Sequence, residues 1–413
     1  MSASHYRRET CRLCDSKNLE LVIQPAATPP GDRYVAAEAL DKVQETYPLD
    51  VFFCQDCGLL QLIDVVDPDI LYGNYIYTTS ISLGLVEHFR QYAIDVLQRI
   101  NPPASALVID IGSNDGTILR HFQDRGMRVL GVEPAAHIAQ KATESGIETL
   151  ATFFNPEVAS EIKQKYGAAT IITANNVFAN IDDLPNTLEG IRHLLAPDGV
   201  FVMETGYCAD TIRNDVFDNI YHEHLTYFNV KPLESFFRRH DMELIHVDHV
   251  ATKGGSIRCT AQLKGGSRPV SPSVKAMIDA EVRLGMDRAT PYLEFAAKIQ
   301  GVKEQLLDLL KDLKAQGKTI AGYGASVGVT TLLYYFELSE LLSFLVDDNP
   351  IRHDLFSPGH HIPVLPSQEL YERKPDYVLI LAWRYAEPIM SKHQAYLAQG
   401  GHFIQFLPEL KVI

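Results

Sequence analysis

The sequence has no long run of hydrophobic residues and no excess of basic residues. No stretch approaches the roughly 18 apolar residues that a membrane-spanning helix needs. The first ten residues, MSASHYRRET, contain no apolar segment of the secretory-signal type. Lysine and arginine number 37 against 52 aspartates and glutamates, which gives a formal net charge of −15. We therefore expect a cytoplasmic protein with neither a membrane partner nor a nucleic-acid partner, because nucleic-acid binding needs a basic surface.

Low-complexity segments are also absent, so the whole chain is available for folded domains. Its length of 413 residues suits two or three domains. The hydrophobic fraction of 46% and the charged fraction of 22% are typical of a soluble globular protein. We predict three domains, at residues 1–70, 71–270 and 271–413, and a monomer or weak oligomer.

Cysteine is scarce and unevenly placed. Four of the six cysteines form two C-x-x-C pairs, Cys11/Cys14 and Cys54/Cys57. In a reducing compartment such pairs are typical of a structural zinc site with four thiolate ligands. A disulfide or a redox-active pair is the alternative.

A glycine-rich loop connects two predicted strands in the middle of the chain. Residues 107–111 (LVIDI) form a continuous apolar strand, residues 112–116 (GSNDG) follow, and a helical pattern comes next. The second strand, MRVLGVEP, ends at Glu133 and Pro134. This order of strand, glycine loop, helix, strand and acid predicts a Rossmann-like domain. A further strand with its following loop is predicted at residues 170–181, and one more strand at residues 199–207.

The C-terminal third repeats the alternation of helices and strands. Apolar residues at steps of three and four predict a long amphipathic helix over residues 293–314, which Gly317 ends. Strands are predicted at residues 319–326, 341–350, 376–383 and 402–407. The predicted fold class is therefore α/β, with a small N-terminal zinc module, a central Rossmann-like domain and a second Rossmann-like domain at the C-terminus.

The glycine loop has the spacing that is typical of S-adenosylmethionine (SAM) sites. Such a loop lets a ligand approach the backbone, and the acid 21 residues after its first glycine offers two oxygens to ribose hydroxyls. A phosphate loop or an NAD site is the alternative. The predicted cofactor-binding residues of this segment are Asp110, Gly112, Ser113, Asn114, Asp115, Gly116, Glu133 and Pro134.

The segment YHEHL, residues 221–225, places two histidines, a glutamate and a tyrosine within four positions. It suits a metal site, a proton-transfer site or a solvated loop. Histidines two residues apart do not converge on one ion from a helix, although they share one face of an extended chain. The cluster alone does not decide between these functions.

Several motifs together resemble one enzyme family. They are the two C-x-x-C pairs, IDIGSNDGT, GVEPA, ANNVFANIDDL, FDNIYHEHLTYF and GGSIR. The chain resembles the zinc-containing C-methyltransferases that act on nucleotide-linked 4-keto deoxysugars, and the resemblance covers essentially its whole length. It implies SAM and structural zinc as cofactors and a dTDP-, GDP- or CDP-linked sugar as substrate.

The resemblance implies roles for the histidine cluster. His224 is the general base, which suits imidazole at neutral pH, and Tyr221 lies beside it in the active site. Glu223 polarises a neighbouring group or contacts the sugar. His222 is structural or contacts the substrate.

Further site residues follow from the same resemblance. Asn175 and Asn176 are expected near the sulfonium end of SAM. Tyr75 is expected to be catalytic and Tyr77 to contact the substrate, with an aromatic patch between two domains as the alternative. Family members carry histidine where this chain has Asn180, which points to a different substituent on the substrate.

The segment KGGSIR combines a glycine pair with two cations. We expect Lys253, Gly255, Ser256 and Arg258 to contact the pyrophosphate of the substrate. A β-hairpin turn with flanking surface charges is the alternative. Tyr323, in the segment GYGAS, is a further predicted substrate contact.

The predicted reaction is methyl transfer from SAM to a carbon next to a ketone, at C3 of a nucleotide-diphosphate 4-keto-deoxysugar. The base removes the C3 proton, and the enolate that forms, whose oxygen the site must stabilise, attacks the methyl group. Two alternatives remain open: an O- or N-methyltransferase, and a zinc- and SAM-binding module without turnover.

Overall fold

The computed structural model describes residues 4–72, 78–81 and 84–413. The N-terminal part is a zinc module built from short strands and one short helix. Its elements are β1 (His5–Arg7), β2 (Leu19–Ile23), β3 (Val51–Cys54), β4 (Leu60–Leu62), β5 (Asp64–Val66) and α1 (Pro68–Tyr72). The two cysteine pairs lie beside these strands: Cys11 and Cys14 before β2, Cys54 at the end of β3 and Cys57 between β3 and β4.

The central part is an α/β domain in which helices and strands alternate. Its elements are α2 (Leu85–Ile100), β6 (Leu107–Ile111), α3 (Thr117–Gln123), β7 (Arg128–Val132), α4 (Ala136–Glu144), β8 (Thr149–Leu150), α5 (Pro156–Tyr166), β9 (Ala169–Asn175), α6 (Leu184–Leu194), β10 (Leu195–Gly206), α7 (Cys208–Arg213), β11 (Thr226–Tyr227), α8 (Val230–Arg239), β12 (Met242–Val250) and β13 (Ser256–Leu263).

In the part of the chain that the structure describes, seven strands form the central sheet in the order β12-β13-β10-β9-β6-β7-β8. The strands from β10 to β8 are parallel, and β13 runs antiparallel between β10 and β12. All five residues of β6 are buried, as expected for a parallel strand covered by helices on both faces. The carboxyl ends of β6, β7, β9 and β10 therefore meet at one edge, where ligands of open α/β sheets bind.

The C-terminal part begins with two helices and continues as a second α/β domain. Its elements are α9 (Pro272–Arg283), α10 (Thr290–Ala315), β14 (Ile320–Tyr323), α11 (Val327–Tyr335), β15 (Leu345–Asp347), β16 (Val364–Pro366), α12 (Glu369–Arg373), β17 (Tyr377–Ile380), α13 (Ala386–Lys392), α14 (Gln394–Ala398), β18 (His402–Gln405) and β19 (Lys411–Val412). Over the described ranges, six strands pair in the order β16-β15-β14-β17-β18-β19, all parallel except β19.

The predicted α/β fold class is confirmed, with both Rossmann-like sheets and the cysteine module present. The long helix α10 follows its predicted range closely, because its buried residues recur at helical spacing and Gly317 adopts a left-handed φ of 76° beyond its end. The domain boundaries stay a prediction, since one continuous hydrophobic core contains residues of all three parts.

The zinc module and the central domain share a sheet. Strand β11 follows directly on the YHEHL segment and pairs with β4, so the sheet order among described residues is β11-β4-β3-β2. The backbone N–H of Leu62 also donates to the carbonyl of Leu225, at 2.9 Å. The segment that carries the two histidines is thus held against the N-terminal module rather than against its own domain alone.

Candidate active site

The four paired cysteines converge on one point. Their sulfur atoms all lie within 4.8 Å of one another, with 3.5 Å between Cys11 and Cys57 and 3.4 Å between Cys14 and Cys54. Zinc–sulfur bonds of about 2.3 Å in a tetrahedron place sulfurs about 3.8 Å apart. These separations far exceed the roughly 2.05 Å of a disulfide bond. The thiols fit a structural zinc ion with no open coordination position.

The glycine loop after β6 is held by the acid that ends β7. The two carboxylate oxygens of Glu133 accept hydrogen bonds from the backbone N–H groups of Asn114 and Ala135, each at 2.9 Å. Gly112 has a left-handed φ of 69°, and a Cβ there would lie 2.3 Å from the side chain of Val177. Only glycine allows the loop to turn so close to the neighbouring strand end.

A cavity of about 400 Å³, here called the loop cavity, opens above this loop. Six of the predicted cofactor residues line it: Gly112, Asn114, Glu133, Pro134, Asn175 and Asn176. The other four, Asp110, Ser113, Asp115 and Gly116, are described but do not line it. Asp110 is buried, which raises its pKa to about 7, and accepts a hydrogen bond from Thr173 Oγ1 at 2.6 Å.

Several residues that line the loop cavity escaped the sequence analysis. Thr152, Phe153 and Phe154 follow the short strand β8, and Thr79 and Phe89 come from the segment before β6. The backbone N–H of Thr79 donates to Asn114 Oδ1 at 2.9 Å. The position of Thr152 to Phe154 at the carboxyl end of a parallel strand is the signal that would have found them.

Tyr221 and His224 form a close pair at the mouth of the loop cavity. The hydroxyl oxygen of Tyr221 lies 2.7 Å from Nε2 of His224, and Nδ1 of the same ring lies 2.9 Å from the carbonyl oxygen of Asn219. A carbonyl only accepts, so Nδ1 carries the proton and Nε2 carries the lone pair. In its neutral form, His224 therefore presents its basic nitrogen, Nε2, to Tyr221.

The surroundings of the pair shift the pKa values of both acidic and basic groups. Burial, together with the positive charge of Lys253, lowers the pKa of His224 to about 4. Burial raises the pKa of Glu223 to about 8, with the negative charge of Asp32 acting in the same direction. Near pH 7 the histidine is a free base and the glutamic acid keeps its proton.

His222 points the other way, toward the zinc module. Its Nε2 lies 3.1 Å from the backbone carbonyl of Tyr47, and the ring is 1% exposed. It lines neither of the cavities described here. The two histidines of YHEHL are thus separated by the local backbone, one facing the open site and one buried beneath it.

A second cavity of about 570 Å³, here called the interdomain cavity, lies between the two α/β domains. From the predicted set it is lined by Asn176, Asn180, Tyr221, His224, Lys253, Gly255 and Tyr323. The sequence analysis did not anticipate its cations Arg352, Arg384 and Lys392. They lie on the C-terminal domain and reach the site only through domain packing.

Ser256 and Arg258 of the KGGSIR segment lie in strand β13, away from both cavities. Ser256 Oγ donates to the carbonyl of Thr252 at 3.1 Å. Arg258 Nε donates to Glu204 at 2.9 Å, and the other oxygen of that carboxylate lies 2.6 Å from His88 Nε2. These buried contacts tie the sheet to α2. Tyr75 and Tyr77 lie outside the described residues.

Comparison with known proteins covers the same three parts of the chain. Family profiles match residues 11–72 ("Putative zinc binding domain"), 85–247 ("Methyltransferase domain") and 251–408 ("C-methyltransferase C-terminal domain"). The C-methyltransferase NovU of Streptomyces niveus is 34% identical over 406 residues, which are 98% of this chain and 97% of that protein. The chain belongs to this family of C-methyltransferases.

Two solved methyltransferase structures resemble part of the chain. The CurJ carbon methyltransferase is 16% identical, with a TM-score of 0.37 over 48% of this chain and 62% of that chain. The 1,6-didemethyltoxoflavin-N1-methyltransferase of Burkholderia thailandensis, solved with S-adenosylhomocysteine, is 19% identical, with a TM-score of 0.33 over 43% of this chain and 78% of that chain.

The loop cavity of the methyltransferase fits SAM better than a dinucleotide. Three acids, Glu133, Asp182 and Asp183, line it together with Glu223, which keeps its proton near pH 7, and Lys253 is the one Lys or Arg among its described lining residues. A pyrophosphate would need more cations, whereas acidic groups suit the positively charged sulfonium and ammonium of SAM. Glu133 would hold the ribose hydroxyls.

No helix in the described ranges of the methyltransferase has both the length and the apolar character that crossing a membrane requires.

Proposed function

We propose that this C-methyltransferase methylates C3, next to the ketone, of a nucleotide-diphosphate 4-keto-deoxysugar. One observation carries the proposal: the loop cavity and the interdomain cavity meet at a base and its hydroxyl partner. Five described residues line both cavities: Asn176, Asn180, Tyr221, His224 and Lys253. A sugar bound from the interdomain side would present its carbon to His224 and to the methyl donor together.

The residues at this junction suit removal of a proton from carbon. His224 Nε2 is unprotonated at neutral pH and takes the proton from C3 as the C–H electron pair moves into the enolate. The Tyr221 hydroxyl, now 2.7 Å from Nε2, is a donor that can turn to the ketone oxygen. Bound SAM supplies the methyl group, which the enolate carbon receives, and S-adenosylhomocysteine leaves.

The interdomain cavity has features that suit a nucleoside diphosphate. In the central domain Glu133, the acid after the second strand, accepts a hydrogen bond from the backbone N–H of Asn114 in the glycine loop. The C-terminal domain has the same kind of contact, in which the backbone N–H of Ala325 donates to the carboxylate of Asp347 at 2.6 Å. The repetition supports a second nucleotide site, with acids after β15 for ribose hydroxyls and nearby cations for phosphates.

The test is incubation of the purified enzyme with methyl-labelled SAM and a panel of dTDP-, GDP- and CDP-linked 4-keto-6-deoxy sugars. NMR of the product would locate the label. A carbon–methyl signal at C3 supports the proposal, whereas a methyl group on oxygen or nitrogen would establish an O- or N-methyltransferase instead. A methyl group at another carbon next to the ketone would keep the chemistry and correct the position.

A further inference from the structure

We propose that the ammonium group of Lys253 stabilises the negative charge that develops on the ketone oxygen while His224 removes the neighbouring proton. This inference rests on the proposed function and deepens it, because it assigns the electrophile of the reaction. It gives Lys253 a different role from the pyrophosphate contact that the sequence predicts.

The first observation is the position of Lys253 between the cavities. Among the five described residues that line both cavities, Lys253 is the only lysine or arginine, and burial lowers the pKa of its ammonium group. His224, the proposed base, is another of the five. The other cations of the interdomain cavity, Arg352, Arg384 and Lys392, line that cavity alone. Lys253 therefore lies where the reacting carbon and its carbonyl must be, whereas the remaining cations lie farther toward the C-terminal domain.

The second observation is the pairing of these cations. Arg384 pairs with Asp218, Lys392 with Asp348, and Arg352 with Asp32. Within residues 4–72, 78–81 and 84–413, no carboxylate lies within 4 Å of the Lys253 ammonium. The ammonium group of Lys253 is thus available to a ligand, whereas each of the neighbouring cations also contacts a protein carboxylate.

The third observation is the backbone of the turn that presents this side chain. Lys253 has a left-handed φ of 53°, which is unfavourable for a residue with a Cβ. The turn is held from two sides: Arg384 Nη1 donates to the carbonyl of Lys253 at 3.0 Å, and Asn214 Nδ2 donates to the carbonyl of Gly254 at 3.1 Å. A Cβ on Gly255 would lie 2.2 Å from Asp210.

These contacts maintain the unfavourable backbone conformation of Lys253, and this conformation directs its side chain into the site between the two cavities. Backbone strain of this kind is concentrated at functional positions, and it persists only where the surrounding structure maintains it. The contact with Arg384 also links the turn to the C-terminal domain. The ammonium is therefore positioned by both domains that form the interdomain cavity.

The chemistry of the step needs such a group. Breaking the C–H bond places a full negative charge on the enolate oxygen, and a preorganised donor stabilises that charge without solvent reorganisation. The same positive charge lowers the pKa of His224, so it also keeps the base unprotonated. Glu223 does not cancel this charge near pH 7, because burial raises its pKa to about 8.

The test compares wild type with Lys253→Met and Lys253→Gln, and with Lys253→Arg as the variant that keeps the charge. Each protein is mixed in D₂O with S-adenosylhomocysteine and the 4-keto sugar that the wild type accepts, and exchange of the C3 proton is followed by NMR. We expect exchange to slow by roughly 10²–10³-fold in the two neutral variants, the usual effect of losing one oxyanion donor. The arginine variant should retain part of the rate.

Calorimetry separates this role from a pyrophosphate contact. The free nucleoside diphosphate of the accepted substrate should bind the neutral variants within about twofold of wild type, and SAM titration checks that they are folded. Exchange within threefold of wild type would overturn the inference, as would a loss confined to nucleoside-diphosphate affinity. Failure of the proposed function would be recognised separately, because the wild-type enzyme itself would then exchange the C3 proton of no keto sugar in the panel. The inference about Lys253 would then also be wrong.

Discussion

The hydroxyl oxygen of Tyr221 lies 2.7 Å from Nε2 of His224, and this contact defines the state of the candidate base. Because the other ring nitrogen donates to the carbonyl of Asn219, the lone pair of His224 faces the tyrosine. The two residues are three positions apart in one loop, so a single backbone turn sets the distance. In the proposed reaction the histidine takes the carbon-bound proton and the hydroxyl is a second donor near the ketone.

Replacing His224 by Asn should greatly slow proton exchange while leaving ligand binding intact. Both SAM and the nucleotide rely on other groups, so affinities should stay close to wild type. The chemical step should slow by roughly 10²–10⁴-fold, the usual contribution of a positioned base. Deuterium exchange at C3 in the presence of S-adenosylhomocysteine measures the step directly.

His222→Gln is the matched control for that experiment, since its Nε2 can still reach the carbonyl of Tyr47. It should keep most of the exchange rate, because His222 lies outside both cavities. Exchange that persists in the His224 variant and vanishes in the His222 variant would transfer the base role to His222.

On the acid side of the pH profile, kcat/KM should begin to fall only at low pH. His224 is neutral in the folded enzyme down to its lowered pKa of about 4, whereas an ordinary histidine begins to lose its base form below pH 6.5. The rate should therefore change less than twofold between pH 7 and pH 5.5 if protein stability permits the measurement. A roughly tenfold fall over that interval would indicate a base with an ordinary histidine pKa.

Stability should fall in acid through the buried histidines. The pKa of His222 is lowered to about 4 by burial, so the unfolded chain binds more protons than the folded one between pH 6.5 and pH 4. The free energy of unfolding therefore decreases as pH falls through that window, by up to about 3 kcal/mol for this group. Urea unfolding at several pH values should show a shallower slope for His222→Gln; an unchanged slope would contradict the assignment.

Glu133→Ala should weaken SAM binding about tenfold or more. The change removes a charged acceptor for the ribose hydroxyls, and hydrogen bonds to charged groups contribute roughly 1.5–3 kcal/mol. It also releases the N–H groups of Asn114 and Ala135, which hold the loop. Glu133→Gln keeps one acceptor and should lose less. Titration calorimetry measures both, and unchanged affinity would show that the adenosine lies elsewhere.

Cys54→Ser should remove zinc and impair catalysis more than SAM binding. The cysteine cluster supports β3 and β4, and β4 pairs with β11 beside the YHEHL segment. Metal analysis should find one zinc per wild-type chain and much less in the variant. Cys208→Ala, a buried cysteine outside the cluster, should keep its zinc. A wild-type protein without zinc would defeat the assignment.

The local pattern of residues in the sequence was sufficient to predict most of the fold. The strand at Leu107–Ile111, the helix at Thr290–Ala315 and the glycine loop between β6 and α3 are each specified by neighbouring residues, through hydrophobic period, glycine position and the acid 21 residues on. The cysteine spacing likewise indicated the ligand set, because the chemistry of a zinc site is contained in four residue types.

The active site could be predicted only in part, for a physical reason. The sequence by itself determined the chemistry that each segment could provide: thiolates, a glycine loop, a histidine and a cation beside two glycines. Tertiary packing decided which of them meet. It turned His222 toward Tyr47 and His224 toward the cavity, placed Arg258 under Glu204, and brought Arg352 and Arg384 from the far domain. Such contacts join residues 54 positions apart for Arg258 and Glu204 and 175 positions apart for His222 and Tyr47, and burial of the shared core brings them together.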